Sequence, residues 1–562
     1  MTPPGLSVAL SPDSATLYQN QSTATVNVTL TRTGSTGNVT LTLQGVPPSV
    51  STQIQSPGTG NTASIILTAL PPASPPSLGT FPVTVTASYG QTSGSATLQL
   101  TVGAYVQLNS ASNGKMNLAM STSFQPAEWD YQLFQQFPSV TTPLGNLQPS
   151  HIRLQPVSQG VPQTSTTTWD FTVLDAITQP VLAVGDQKPE FQIAVAPAFM
   201  SGSPTFNADF AAYAANLVSY HNSPNGFIDA GGTPHKSPSG NPIKLWGIYN
   251  EPNYNNLDPT AYTTLYNTVV PAMLGVDSTI ELVAVELGDA PGEADKFLPA
   301  FAAGVTAPVT YLATHFYSSC NQKDSDDTVF NTVPGFGTEV ERIYFNLSNP
   351  PANPNLATVP VWVTENNVNA DFADKNGMST CNPGQTFVVD PRGSSAFFAA
   401  WRPYVFSQLG KAGTAALYQW VYAGDAQYGE IDDTTGKLRL SYWVDYWLEH
   451  KFPSPTRAAQ LEYYATDEAE LETLAVQNPD NSVVVMIANH AVNATSDNNG
   501  PGAPRSLLVD IAQLPTPFQT ASLLTIDAKT NLTTGPTEGS VTLAQQIPVT
   551  FNGYSVAFLT LK

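Results

Sequence analysis

Strictly alternating polar and apolar residues fill both ends of this chain, while the middle interleaves short apolar runs with helix-like stretches. Near the start, ATVNVTLTR, NVTLTLQG, ASIILTAL, FPVTVTAS and ATLQLTV carry an apolar residue at nearly every second position, with Pro and Gly turns between them. A period of two is that of a half-buried strand, and several such runs within residues 1–103 predict an immunoglobulin-like β-sandwich. From 456 to 562 the pattern returns in SVVVMIAN, RSLLVDIA, SVTLAQ and YSVAFLTLK, predicting a second, carboxy-terminal β-sandwich. The charged run ATDEAELETLAV is read as strand in its second half.

Between these ends, eight strand-like runs fall at 116–120, 151–154, 191–196, 245–249, 281–286, 309–314, 360–364 and 414–419, most separated by a helix-like stretch. Strand and helix alternating in this way predict a (β/α)8 TIM barrel over residues 104–455. Several helix starts are legible: Asn207 precedes apolar residues at helical spacing, and Asp258-Pro259 supplies a cap followed by proline at the first helical position. The segments 394–409 and 440–452 carry the same periodicity after strands 7 and 8. The expected architecture is multidomain, α/β plus all-β.

Composition narrows the function. Of 562 residues only 20 are Lys or Arg against 42 Asp or Glu, and the net charge is -22. Nucleic acid and anionic membrane surfaces are excluded as partners, because both need clustered basic residues. No run of 18 apolar residues is present, so no membrane span is expected. A polar, Thr-, Ser- and Asn-rich chain of low lysine content points to export, with Met1 read as an initiator added after a leader was removed. The amino-terminal module has no tryptophan, only Tyr18, Phe81 and Tyr89 as aromatics, which favours a spacer over a sugar-binding platform. Two cysteines, Cys320 after strand 6 and Cys381 in the long loop after strand 7, are a possible disulfide across neighbouring rim loops. No His or Cys cluster with ligand spacing accompanies them, so neither metal nor cofactor is expected. Nothing in the sequence sets an oligomeric state.

The candidate chemistry lies in LWGIYNEPNY at 245–254 and VPVWVTENNVN at 359–369. Each runs an apolar strand straight into a glutamate, Glu251 and Glu365. Side chains at the carboxyl ends of barrel strands converge on one mouth. A separation of 365 minus 251, or 114 residues, is room for three βα units, which puts the two on strands 4 and 7. Glycosidic bonds break through an oxocarbenium-like state that needs one carboxyl group to protonate the leaving oxygen and another to attack the anomeric carbon. Two converging glutamates meet that need.

With NEPN (Asn250 to Asn253), THFY (Thr314 to Tyr317), HIRLQP (His151, Arg153) and ALYQW (Trp420), the chain resembles the clan A glycoside hydrolases. The order of barrel then carboxy-terminal sandwich resembles family 39 most, with families 79, 51 and 30 as relatives. The resemblance covers roughly residues 104–562 and implies a retaining β-glycosidase, with Glu251 as general acid/base and Glu365 as nucleophile. It implies further that Asn250 bonds the sugar 2-hydroxyl, that Tyr317 and Arg153 donate to Glu365, and that Trp420 forms an aromatic floor. His315 is expected to bond a sugar hydroxyl or to tune Glu251, and His151 is a weaker candidate. Tyr254, Asn366, Asn367, Tyr422 and Tyr428 are candidates to shape the sugar sites. The expected function is a secreted β-xylosidase-like exo-glycosidase acting on plant or microbial saccharides. The alternatives are a β-glucuronidase or endo-glycanase of the same clan, and a non-catalytic polysaccharide-binding protein on a barrel scaffold.

Overall fold

The computed structural model describes residues 5–562 except 21, 35, 72–76, 117, 125–132, 148–150, 156–159, 186–187, 256, 289–291, 349–352, 454–458 and 516. At its centre is a closed barrel of eight strands: β1 (Ala119–Phe124), β2 (Ile152–Leu154), β3 (Glu190–Ile193), β4 (Leu245–Ile248), β5 (Glu281–Leu287), β6 (Tyr311–Ser319), β7 (Val361–Asn369) and β8 (Ala416–Trp420). Every neighbouring pair is parallel, and β8 closes on β1. Parallel pairing requires a crossover between successive strands, and helices supply it.

The helix Pro259–Val276 begins where Asp258 accepts a hydrogen bond from the Ala261 amide, and Ala396–Lys411 begins at Ser395 in the same way. The helix after β3 runs Phe206–Asn222, so Asn207 lies inside its first turn and is not the cap. There Asp209 accepts from the Ser203 and Thr205 hydroxyls, and this side-chain network holds the helix start.

The lower barrel interior is filled by Ala119, Leu245, Val283, Ala313, Trp362, Ala416 and Tyr418, a small cluster sealed from the helices outside. Because side chains alternate along a strand, the outward residues of the same strands join the larger core beneath the helices. That core continues through Leu474, Val476, Met486 and Phe558 of the carboxy-terminal strands. The carboxy-terminal β region is therefore packed onto the barrel as one body, across the helix Ala396–Lys411.

At the amino terminus the strand Thr23–Thr33 buries Val26, Val28 and Leu30 and exposes the residues between them. It sits in a sheet with Gly5–Ser11, Thr62–Ala69 and Val50–Gln55, and shares an apolar cluster with the facing strands Thr40–Gln44 and Gly79–Tyr89. The boundary at 103/104 read from the sequence is not a break. A single strand, Thr92–Lys115, pairs first with Gly79–Tyr89 and then with Ala459–Ala465 and Arg505–Gln513. Residues 104–115, assigned to the barrel from the sequence, belong to the carboxy-terminal sheet, because Ala104, Val106 and Leu108 continue the period of two into its apolar cluster. Gly103 is no turn: a Cβ there would lie 2.8 Å from both the Tyr18 ring and the Ser506 carbonyl oxygen, so glycine permits the close approach of two strands. The carboxy-terminal strands form one continuous hydrogen-bonded path, from Gly539–Val541 to Gln546–Phe551, where two separate sheets were expected. The boundary at 455/456 lies outside the described residues. The charged run near 465–476 does end in a strand, Leu471–Gln477.

A buried carboxylate fastens the carboxy-terminal region to the barrel rim. Asp326, after β6, accepts from the Asn499 and Gly500 amides at 2.7 and 2.8 Å and from the Tyr554 hydroxyl at 3.1 Å, with the Arg392 guanidinium 3.6 Å away. Replacing Asp326 by Ala strands two amides and a hydroxyl in a dry interface. The expected cost is about 2–4 kcal/mol, read as a lower urea midpoint of Asp326→Ala relative to the parent protein.

Candidate active site

Backbone strain marks the barrel mouth. Tyr249 and Glu251, just past β4, have φ of 69° and 42°, and Val285 and Glu286 in β5 have φ of 79° and 46°. Left-handed backbone is unfavourable for L residues and most of all for a β-branched one such as Val285, so the surrounding contacts must hold it. They are identifiable. The Tyr262 hydroxyl, from the helix after β4, donates to the Ile248 carbonyl at 3.0 Å and accepts from the Val285 amide at 2.7 Å. The Glu251 amide donates to the Glu286 carbonyl at 2.9 Å, and Asn253 both donates to and accepts from the backbone of Gly288. The register of β5 against β6 shifts between Ala284 and Leu287, a bulge that turns Glu286 into the barrel.

Four glutamates and two cations meet in this mouth. Arg153 on β2 is wholly buried: its Nη1 donates to Glu365 Oε1 at 3.1 Å, its Nη2 to Glu286 Oε2 at 3.2 Å, and its Nε lies 3.8 Å from Glu190 Oε1. Burial alone would draw its proton off, but the charges of Glu286, Glu365 and Glu190 reverse this and hold the guanidinium firmly protonated. His315 on β6 is equally buried. Its Nδ1 lies 2.8 Å from Glu251 Oε1 and 3.5 Å from Glu365 Oε2, and its Nε2 is 3.3 Å from Glu286 Oε2. Burial opposes the charged ring, yet Glu365, Glu251 and Glu286 outweigh it and push its pKa up to about 10. A carboxylate oxygen of Glu251, one of Glu365 and a ring nitrogen of His315 all lie within 4.8 Å of one another. Such a trio has the composition of a metal site. Here the His315 ring is already engaged on both sides, Nδ1 with Glu251 at 2.8 Å and Nε2 with Glu286 at 3.3 Å.

Glu365 also accepts from the Tyr317 hydroxyl at 2.8 Å and from Gln155 at 3.4 Å. Burial, then the charge of Glu365, keeps that phenol protonated and donating. Asn250 accepts through Oδ1 from Gln192 at 2.9 Å and from Arg153 at 3.4 Å, which fixes the amide orientation and leaves its NH2 group directed to the cleft that Asn250 lines. Trp420 ends β8 on the same cleft, with the Arg153 guanidinium 6.0 Å from its ring centre.

The cleft has a volume of about 1380 Å³. Its lining adds to the glutamates the aromatic side chains of Tyr254, Phe336, Phe372, Phe387 and Tyr428. Cys320 and Cys381 form a disulfide that ties the rim loop after β6 to the one after β7, and the Asn382 side chain reinforces it by donating to the Cys320 carbonyl at 2.8 Å. Among the described lining residues there are five carboxylates, Glu251, Glu339, Glu365, Asp425 and Asp433, and no lysine or arginine.

Of the residues singled out from the sequence, Glu251, Glu365, Asn250, Tyr317, His315, Arg153 and Trp420 gather at this mouth. His151 does not. It stacks on Trp362 in the barrel floor with ring centres 4.9 Å apart, because two residues of strand before Arg153 carry it about 6–7 Å toward the opposite end. Tyr254 and Tyr428 line the cleft, whereas Asn366 turns outward to Arg402, Asn367 bonds the Trp420 carbonyl, and Tyr422 bonds the Val140 carbonyl. Sequence reading missed Glu190, Glu286, Gln155, Gln192 and Thr364. A signal existed for the first two: PEFQIAV and LVAVEL each carry an acid inside an otherwise apolar strand.

No family model matches the sequence, and no curated protein does. The fold is shared with solved glycoside hydrolases. A monomeric beta-xylosidase from Caulobacter crescentus CB15 aligns over 82% of this chain and 99% of its own, at 15% identity and a TM-score of 0.56. A glucosidase from Croceicoccus marinus aligns over 82% and 99% at 12% identity and a TM-score of 0.51. The family 44 endoglucanase Cel44A from Clostridium thermocellum aligns over 82% and 99% at 10% identity and a TM-score of 0.50.

The floor position of His151 has a measurable consequence. Burial, then the nearby Lys188 charge, lowers its pKa to about 4, whereas the unfolded chain takes up this proton near its ordinary value of 6.5. Between these values the unfolded state binds more protons, so stability from the neutral ring is complete above the upper value and drains as pH falls toward the lower. The slope is up to about 1.4 kcal/mol per pH unit. In urea titrations at stepped pH, the stability advantage of the parent protein over His151→Gln is expected to shrink between neutrality and the lower value.

Proposed function

We propose that this protein is a retaining β-glycoside hydrolase that works by double displacement, with Glu251 as general acid/base and Glu365 as nucleophile. The observation that carries the reading is the approach of their carboxylate oxygens to within 4.8 Å, Glu251 just past β4 and Glu365 within β7, inside the cleft. Retaining enzymes hold the two groups about 5–5.5 Å apart, whereas inverting ones leave about 6.5–9.5 Å for a water. The environments suit the roles. Glu365 accepts from a guanidinium and a phenol, the setting of a carboxylate that attacks while ionised, and Glu251 is the more exposed of the two, open to a departing sugar and to the water that replaces it.

The substrate class follows from the lining. A uronide needs a cation for its carboxylate, and no lysine or arginine is among the described residues lining the cleft. Of the basic rim residues, Arg392 is engaged with Asp390, Arg439 with Asp432 and Lys323 with Gln385, and Lys375 is not among the residues that line the cleft. The glucuronidase alternative loses its support, and a neutral glycoside is the substrate proposed. A cleft of 1380 Å³ exceeds the volume needed for one sugar ring and favours an oligosaccharide with aromatic contacts to rings beyond the cleaved bond. The disulfide supports an exported enzyme, since such bonds persist in oxidising compartments. Within clan A we keep family 39 as the proposed family, on the order of barrel then β domain.

Glu251→Gln and Glu365→Gln are each expected to reduce hydrolysis of neutral nitrophenyl β-glycosides by about 10³-fold or more, since each removes one half of the mechanism. Azide should restore turnover in both, giving the β-glycosyl azide from the acid/base variant and the α-azide from the nucleophile variant. Exchanged products would exchange the roles. Unimpaired hydrolysis by either variant, or oligosaccharide binding without hydrolysis by the parent protein, would overturn the proposal.

A further inference from the structure

Two carboxylates in the mouth, Glu190 and Glu286, have no place in double displacement. Glu286 is fully buried on β5 and lies outside the cleft lining, yet it touches the partners of both reacting glutamates. Its Oε2 alone receives Arg153 Nη2 at 3.2 Å, His315 Nε2 at 3.3 Å and the hydroxyl of Thr364, the residue just before Glu365. Its Oε1 faces Glu190 above Gly247: a Cβ on that glycine would lie 3.0 Å from Glu286 Oε1 and 3.2 Å from Glu190 Oε1. Left-handed backbone and a strand bulge are maintained to put it there.

We propose that Glu286 is a positioning residue that holds His315 as a doubly protonated imidazolium, so that a single buried carboxylate orients both the acid/base and the nucleophile. The inference rests on the roles proposed for Glu251 and Glu365. With Glu286 accepting at Nε2, the second proton of the imidazolium sits on Nδ1, whose nitrogen lies 2.8 Å from Glu251 Oε1 and 3.5 Å from Glu365 Oε2. In the resting state the acid carries a proton and the nucleophile a negative charge. After attack the nucleophile is esterified, and the acid, its proton given to the leaving oxygen, holds the charge. The pair bears one negative charge in both states, only relocated, and the same N–H faces it either way. His315 gives up no proton in either step, so it serves as a fixed countercharge that needs no rearrangement as the charge moves.

The charged and titratable groups around this hub come from every strand that faces it. They are Arg153 on β2, Glu190 on β3, Glu251 beyond β4, Tyr317 on β6, Glu365 on β7 and Tyr418 on β8, with Tyr262 from the helix behind β5. Their balance supports an ionised Glu286. Burial opposes its charge, but Arg153, His315 and Thr364 hold its pKa below the ordinary glutamate value. Glu190 is the member that keeps a proton, pushed up to about 8 by burial and by the charge of Glu286.

Nitrogen NMR of the intact protein, labelled in its six histidines and assigned by loss of signals in His315→Asn, reads the ring directly. Both His315 nitrogens are expected to be protonated at neutral pH, and a neutral ring would overturn the inference without any variant of Glu286. In Glu286→Gln, kcat is expected to fall about 10- to 100-fold with KM within about 3-fold, and the pH at which His315 loses its second proton, followed by the same nitrogen signals, to move down by about one pH unit or more. A variant with lower kcat but an unmoved His315 titration would mark Glu286 as packing alone and refute the role. Retained activity in Glu251→Gln or Glu365→Gln would instead refute the reading of the pair, and leaves the NMR result on His315 to stand or fall separately.

Discussion

A guanidinium with no access to water, held among three glutamates, is the constraint around which this mouth is organised. Arg153 has no exposed surface, and an unpaired buried charge of that kind costs several kcal/mol. It must therefore be surrounded by carboxylates, and three glutamates from β3, β5 and β7 meet it. Three carboxylates against one cation leave an excess of negative charge, which the proton on Glu190 and the imidazolium of His315 reduce. Each member of the network is thus the reason that its neighbour can be buried. Glu365 and Glu251 stand where this network opens into the cleft.

The rest of the molecule can be read as support for that arrangement. Tyr262 joins the ends of β4 and β5, Asn253 fastens the loop after β4 to Gly288, and the disulfide between Cys320 and Cys381 joins two rim loops. The carboxy-terminal sheet shares the main core with the barrel helices, and Asp326 binds it to the loop after β6. Even the amino-terminal module is not a free appendage, since the strand Thr92–Lys115 is common to it and to the carboxy-terminal sheet.

How much of this the sequence disclosed depended on whether a residue's neighbours in the chain reported on its neighbours in space. Apolar runs that meet Asn or Pro located Glu251, just past β4, and Glu365, although β7 does not stop there and runs on to Asn369, because an apolar strand turning polar at a barrel mouth has a local signature. Glu286 has none of that kind: it sits inside LVAVEL, and only the bulge in β5 turns it inward. Glu190 is hidden similarly in PEFQIAV. His151 went to the floor because strand geometry, not proximity in sequence to Arg153, decides height along the barrel. The continuous strand through Gly103 escaped notice because glycine reads as a turn, whereas here it admits the Tyr18 ring.

Trapping of the covalent intermediate tests the central claim most directly. In a 2-deoxy-2-fluoro β-glycoside with a good leaving group, the fluorine destabilises the oxocarbenium-like state and slows deglycosylation, so the glycosyl-enzyme accumulates for peptide mass mapping. With gluco, xylo and galacto forms tested, the account predicts a single glycosyl adduct on Glu365. An adduct on Glu251 or Glu286, or no adduct from a sugar whose unfluorinated glycoside the enzyme hydrolyses, would contradict it.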